Sequence, residues 1–455
     1  MRRPLYMHQR QAFNYAMKRN AIALFIEMRL GKSLIVIRVC RFKKINAPIL
    51  IVAPSSAQNS WLGELTEENE QNVVRLHGAK AQRIKQIKQF KNFDSCERSW
   101  LIINPECYRS FPNLWNYPWG CIVCDESTFL ANPSKKTAND NISQSYFYIS
   151  KFRHVKHRYI LTGTPAPESE LQYFGQLEFL DPSILPFVNY WDFRASCFGV
   201  LPTHEHYLLS HGRKLLAKKL KKHCFLMTRK DAGIPDKKIY QKRYVELSPK
   251  MRKAYNIVVK DFILTIDNQV YAATKHTINI FQWLRNICGG YIDDQFLFDG
   301  KYREVLSLLK GELKNESVVI FATYLKEINK LIEVLTKKKI KTGVITGAVD
   351  KLERERIVKQ FKSGTLKTLV CQAKTMKYGE DLSISDTIIF LSMPLGYETR
   401  KQNEDRIISI RQTTPKLIID IICDGTIEES LYRSMKSKET KQETMKRVME
   451  CLKEI

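Results

Sequence analysis

Two α/β lobes, each a parallel sheet with helices on both faces, are the fold that the sequence predicts. Three observations carry this expectation. A length of 455 residues exceeds one ordinary domain. A content of 44% hydrophobic and 11% aromatic residues rules out a mostly disordered chain. Short apolar runs then recur in two series, each alternating with helix-like stretches, which marks strands buried on both faces and joined by crossovers.

The first series is "AIALFIEM", "PILIVAP", "SWLIINP", "GCIVCDE" and "HRYILTGTP", and each run ends in small, polar or acidic residues. The second is "SVVIFATY", "KTGVITG", "KTLVCQA", "DTIIFLSMP" and "KLIIDIIC". Ligands of such sheets bind beyond the carboxyl ends of the strands, so the residues just after each run are where chemistry is expected. Lobe 1 is placed at residues 1–236, with a helical extension near 205–230, and lobe 2 at 237–455, with a helical insertion near 248–290. Residues 211–300 read as mainly helical. No repeat with a period of 20 to 50 residues and no long low-complexity segment interrupts the pattern.

Charge narrows the partner. The chain carries 74 Lys and Arg against 47 Asp and Glu, a net charge of +27. Residues 1–50 hold 11 basic residues and one acid, and residues 201–250 hold 13 and 4. Such a field attracts polyanions, and nucleic acid fits better than an anionic membrane because no basic amphipathic anchor accompanies it. The helix "KLLAKKLKKHCFLM" reads equally as a packing helix with solvated lysines or as a DNA contact. Eleven cysteines within apolar runs argue against a disulfide framework and for a reducing, cytoplasmic setting. The one C-x-x-C, Cys121 to Cys124, reads as buried strand residues and not half a zinc site. No signal peptide or membrane-spanning run is expected.

Three local patterns point to phosphate chemistry. After "AIALFIEM" comes the turn "RLGKS" and then "KSLIVIRVCRF" with helical spacing. That order sets Lys32 and backbone N–H groups at a helix N-terminus, where aligned dipoles favour phosphate, and Ser33 offers a hydroxyl to Mg²⁺. The first glycine of G-x-x-x-x-G-K-[ST] falls on Ile26, so a second signal is needed. It is Asp125-Glu126 at the end of "GCIVCDE": one carboxylate holds the metal and the next orients and deprotonates water. The third is Gln402 to Gln412, "QNEDRIISIRQ", whose arginines can neutralise charge developing on a γ-phosphate. One ATP between two lobes is the arrangement these signals imply.

With these patterns in place, the chain resembles the Swi/Snf family of ATP-dependent DNA translocases in helicase superfamily two over nearly its full length. "PLYMHQRQAFNYAM" is similar to the adenine-reading segment, "EMRLGKS" to motif I, "ILIVAPSSAQNSWLGEL" to Ia, "LIINPECYRS" to Ib, "CDESTFLANPSKKT" to II and "YILTGTPAPESELQ" to III. "VVIFATYLKEINKLIEVL" resembles motif IV, "LVCQAKTMKYGEDLSISDTIIFLSMPLG" motif V and "QNEDRIISIRQ" motif VI. Interlobe elements match in "FLMTRKDAGIPDKK", "YVELSPKMRKAYN" and "LRNICGGYI".

The resemblance implies two RecA-like lobes and an ATP- and Mg²⁺-dependent translocase on double-stranded DNA without sequence specificity. It implies a compact bacterial or phage-like member, monomeric, serving replication, recombination, repair or remodelling of DNA-bound complexes. Gln9, Arg29, Leu30, Gly31, Lys32, Ser33, Gly379 and Asp381 are expected at the nucleotide, with Ser33 and Asp125 on the metal. Lys32, Asp125, Glu126, Gln402, Arg406 and Arg411 are expected in catalysis. Pro54, Ser55, Asn104, Pro105, Thr164, Thr323, Gln372, Ala373 and Lys374 are expected at nucleic-acid phosphates, a contact that positions without reading sequence. Three departures stand out: Arg29 replaces a usual glycine, Thr128 stands where the family has the histidine of "DEAH", and Ser409 takes the place of the second motif VI arginine. If the segment after Arg406 is helical, Arg411 turns away from Ser409; if it is extended, Arg411 returns to the same side. A strand-separating or annealing DNA or RNA helicase and a nucleic-acid-binding protein with a disabled ATPase are the alternative readings.

Overall fold

The computed structural model describes residues 3–55, 57–94, 96–131, 149–167, 169–200, 206–234, 238–267, 275–375, 381–409 and 414–437. Gly379, Arg411 and most of the "ANPSKKT" tail of motif II lie outside them. The chain divides into two compact units, Met1–Asp236 and Lys237–Ile455.

The first unit is built on a seven-stranded sheet: β1 (Ala21–Ile26), β2 (Ile49–Val52), β3 (Val73–Arg75), β4 (Trp100–Ile103), β5 (Cys121–Asp125), β6 (His157–Thr162) and, beyond the short hairpin β7 (Phe198–Val200) with β8 (His206–Leu208), β9 (Cys224–Met227). The order across the sheet is β3-β4-β2-β5-β6-β1-β9, and every pairing in it is parallel. Alternate side chains explain the continuous apolar runs. Ala23, Phe25, Leu50 and Val52 enter one core, while Ile22, Leu24, Ile26, Ile49 and Ile51 enter another on the opposite face. Cys121 and Cys124 are fully buried in these cores.

The second unit repeats the plan with six parallel strands in the order β10-β17-β16-β13-β15-β14. These are β10 (Lys238–Val245), β13 (Val318–Ala322), β14 (Thr342–Ile345), β15 (Thr368–Gln372), β16 (Thr387–Phe390) and β17 (Lys416–Cys423); the pair β11 (Tyr291–Ile292) and β12 (Gln295–Phe296) stands apart. Val318, Ile320 and Ala322 face one core and Val319 and Phe321 the other. Two parallel sheets, each covered by helices, are RecA-like lobes.

Residues 211–300 are less helical than the sequence suggests. The helix Ser210–His223 gives way to β9, which pairs with β1, and β10 forms an edge strand on β17. The "CFLM" run continues the apolar pattern of the preceding helix, so only pairing with an open sheet edge separates the two. Helices Pro249–Asp267 and Lys275–Cys288 follow. Among the described residues, no helix is long and apolar enough to cross a membrane.

Candidate functional site

Parallel strands put their carboxyl ends on one edge, and the order across the first sheet sorts the candidate residues along it. The turn after β1 carries the Gly-Lys-Ser stretch, and β5 carries Asp125 and Glu126, with β6 between them. Beyond β5, β2 ends at Pro54 and Ser55, and β4 at Asn104 and Pro105. At about 4.8 Å per strand, the β1 turn and the β4 end stand about 19 Å apart.

Lys32 opens the helix Lys32–Phe42 directly behind Gly31, whose φ of 80° and ψ of 39° are left-handed. A Cβ at Gly31 would lie 2.2 Å from Gln9 Nε2, so both backbone and space require glycine there. Arg29 is also left-handed, at φ 68°, and is partly buried, so it does not simply extend into solvent. Lys32 Nζ donates to the carbonyls of Ile26 at 2.9 Å and Glu27 at 3.5 Å, folding back over the turn. Leu30 is buried, and its carbonyl accepts from Gln9 Nε2 at 3.2 Å and meets His8 Nε2 at 3.3 Å. Gln9 Oε1 also accepts from the Tyr6 N–H, so this glutamine braces the turn.

Asp125 is 8% exposed. Its carboxylate accepts from Trp61 Nε1 at 2.8 Å and from the Glu126 N–H at 3.0 Å. Burial pushes its pKa up, while the Lys32 ammonium and the two donors oppose that rise without cancelling it. Glu126 is left-handed at φ 49°, a costly conformation for a side-chain-bearing residue, and its Oε2 accepts from the Thr162 hydroxyl at 3.3 Å. The Thr128 hydroxyl bonds the Glu126 carbonyl at 3.4 Å and so stays within its own turn. A lysine at a helix N-terminus, a serine hydroxyl beside it and an acidic pair two strands away make an oxygen-rich set suited to a nucleoside triphosphate with Mg²⁺. The buried, upshifted Asp125 fits such a cation, because a metal restores the charge balance that burial opposes.

In the second lobe Arg406 is 2% exposed and follows the helix Tyr397–Glu404 in a turn, so the helical-face geometry does not apply to it. Gln402 gives its amide N–H to Glu398 at 2.9 Å; among the described residues, its buried Oε1 and both amide atoms of Asn403 have no hydrogen-bond partner. Asp381 accepts from the Ser383 N–H and lies 3.7 Å from Lys362 Nζ. The helix bearing Gln402 is anchored by Arg400 to Asp420 at 2.5 Å and to Glu404 at 2.7 Å, and by Lys238 to Glu404 at 2.9 Å.

The nucleic-acid candidates divide. Thr164 sits in the turn after β6, and its N–H bonds Thr162 Oγ1 at 3.1 Å. Asn104 Oδ1 caps Cys107 at 3.1 Å, which fixes the Asn104-Pro105 turn. Lys374 is exposed, whereas Ala373 is fully buried and Gln372 Oε1 accepts from the Gly347 N–H at 3.3 Å. The Thr323 hydroxyl is 3.1 Å from the Met393 carbonyl, and the residue is 9% exposed, so it bonds within the lobe. Sequence reasoning missed Trp61, Gln176 and Arg229. Arg229 donates its backbone N–H to Glu27 Oε2 at 2.7 Å and its guanidinium to the Met28 carbonyl at 3.2 Å, clamping the entrance to the Gly31 turn.

These features define a two-lobed, helicase-like phosphate-loop protein. The chain matches the SNF2-related domain over residues 8–290 and the Helicase conserved C-terminal domain over residues 300–411, and it belongs to the SNF2-related family. It is 26% identical over 325 residues to human Chromodomain-helicase-DNA-binding protein 7, covering 67% of this chain and 10% of that protein. To zebrafish (Danio rerio) Chromodomain-helicase-DNA-binding protein 1-like it is 24% identical over 90% of this chain and 40% of the relative. With the Drosophila melanogaster SWI/SNF-related matrix-associated actin-dependent regulator of chromatin subfamily A-like protein 1 it shares 24% identity over 93% and 53%. The chain thus spans from a tenth to about half of the length of these curated relatives. A solved structure, the Sulfolobus solfataricus SWI2/SNF2 ATPase core in complex with dsDNA, is 20% identical, with 99% of this chain and 95% of that one covered at a TM-score of 0.46. The curated relatives named are animal proteins and lend nothing to the bacterial or phage origin expected from the sequence.

Proposed function

We propose that the chain hydrolyses ATP to move along double-stranded DNA, gripping the phosphate backbone without sequence preference. The observation that carries this reading is the order of strand ends in the first lobe. It puts the Lys32 turn and the Asp125-Glu126 pair on either side of the β6 turn that carries Thr164, with the Pro54 and Asn104 turns farther along the same edge. Lys32 and the N–H groups of the following helix bind phosphates, Ser33 and Asp125 hold Mg²⁺, and Glu126 orients the attacking water and accepts its proton. Gln9 keeps one amide hydrogen and one lone pair beyond its bonds to the turn, enough to read adenine. Arg406 supplies the charge that meets the γ-phosphate, and the Gln402 Oε1 and Asn403 amide atoms, without hydrogen-bond partners among the described residues, are polar atoms of that segment suited to a ligand. Bound MgATP contributes the phosphoanhydride bond whose cleavage drives the motion.

The net charge of +27 and the backbone amides at the strand ends support a non-specific polyanion track. The test is ATP turnover on duplex DNA, single-stranded DNA and RNA at several salt concentrations. Duplex DNA gives the largest stimulation, and affinity falls by about 0.9 log unit per log unit of salt for each phosphate neutralised. Stimulation by RNA alone, or a salt-independent affinity, contradicts the reading.

A further inference from the structure

Outside the proposed chemistry lie a buried Cys288, Cys423 and Glu428 group, a basic helix at Ser210–His223, and a buried glutamine on the helix Tyr173–Leu180. The first is already occupied by Lys301, whose ammonium lies 2.5 Å from Glu428 and opposes a cation there. The second offers charge without a defined site. The third carries a definite function.

We propose that Gln176 is a positioning residue that ties the turn after β6, where Thr164 lies, to the Asp125-Glu126 pair, so that an event at one is felt at the other. This rests on the translocase reading above. Gln176 sits on the helix Tyr173–Leu180 and, like Ser127, is fully buried. Its Oε1 accepts from Ser127 Oγ at 2.8 Å, and its Nε2 donates to the Pro165 carbonyl at 2.6 Å and the Gln172 carbonyl at 3.0 Å. Two carbonyls can only accept, so the NH₂ must face them and the amide oxygen must face Ser127. Both amide hydrogens are used, and the side chain has no alternative orientation that satisfies its neighbours.

The consequence lies in what each end touches. Ser127 directly follows Glu126, whose left-handed backbone needs holding. Pro165 directly follows Thr164. A second strand of contact runs parallel: the Thr164 N–H bonds Thr162 Oγ1, and that hydroxyl donates to Glu126 Oε2. Gln176 therefore closes a loop in which the β6 turn cannot shift without moving either Ser127 or the Glu126 carboxylate. Thr128 takes no part in the crossing, because its hydroxyl returns to Glu126.

The test is turnover at saturating ATP, with and without duplex DNA, for the wild type, Gln176→Leu, Ser127→Ala and the double variant. The stimulation factor, turnover with DNA over turnover without, falls on the order of tenfold in Gln176→Leu. It falls by less in Ser127→Ala, and the double variant is no worse than Gln176→Leu, because both changes break one chain of contacts. In each variant kcat with DNA changes more than KM for ATP. Equal losses with and without DNA, or single losses that multiply in the double variant, overturn the proposal. Should Gln176→Leu fail to fold, Ser127→Ala decides alone, and undiminished stimulation there overturns it. A wild type that DNA does not stimulate overturns the translocase reading and this proposal together; a stimulated wild type with unaffected variants overturns this proposal only.

Discussion

The candidate site segments of the two lobes treat charge in opposite ways. In the first, Lys32 follows the turn after β1, Asp125 ends β5 and Glu126 comes next, with Arg29, Gly31 and Glu126 at positive φ. In the second, Arg400, Glu404 and Asp420 are buried and locked in ion pairs beside Arg406. A turn that must admit phosphate depends on backbone shape, since internal salt bridges would fill the space that the ligand needs. A single arginine is instead set by its surroundings, and a buried ionic cluster fixes the helix before it. The phosphate turn of lobe 1 is thus open to loss of chemistry by one substitution, and the Arg400 segment of lobe 2 to loss of stability.

The largest expected effect tests the first half of that contrast. Lys32→Ala and Glu126→Gln each lower DNA-stimulated turnover by about 10³-fold or more, with both variants folded as judged by thermal melting. Glu126→Gln retains ATP binding because Asp125 is untouched. Unchanged turnover in either variant removes the site assignment from lobe 1.

The second half is tested by Asp420→Asn, which takes the charge from the main partner of the buried Arg400. Breaking a buried pair costs about 3–5 kcal/mol, so the second lobe melts earlier while the first keeps its transition. Thermal unfolding followed by limited proteolysis of each lobe reads this directly. Equal stability to wild type means that the cluster is dispensable.

Much of the first lobe's site is legible in the sequence because it is local. A strand, a turn with Gly31-Lys32-Ser33 and a helix occupy one short stretch, and Asp125-Glu126 ends a strand. The supports are not legible, because each partner is remote: Trp61 lies 64 residues from Asp125, Gln176 lies 49 from Ser127, and Arg229 lies 202 from Glu27. A buried glutamine in "YFGQLEFL" carries no local sign of its partner. The strands β9 and β10 were hidden for a related reason, since a sheet edge is needed to turn their short runs from helix to strand. Thr323 shows the converse, for a residue at a strand end can be consumed by its own lobe.

The smallest effect is on pH dependence and belongs to a charged cluster in lobe 1 away from the phosphate turn. Burial pushes the Glu70 pKa up, but hydrogen bonds from Arg98, Arg41 and Trp100 outweigh it, and the net shift is downward. A carboxylate with a lowered folded pKa adds stability above the ordinary glutamate value of about 4.3, and that stability is lost as pH falls through the folded value. Melting of lobe 1 therefore drops on acidification below about pH 4.3, and Glu70→Gln makes that drop shallower. Parallel curves for wild type and variant contradict the assignment.

Movement along intact duplex DNA driven by ATP hydrolysis is read by displacement of a third strand from a duplex track. The expected outcome is ATP-dependent release of that strand, absent in Glu126→Gln, without separation of the duplex strands. Rapid ATP hydrolysis with no release, or separation of a forked duplex in its place, would contradict it.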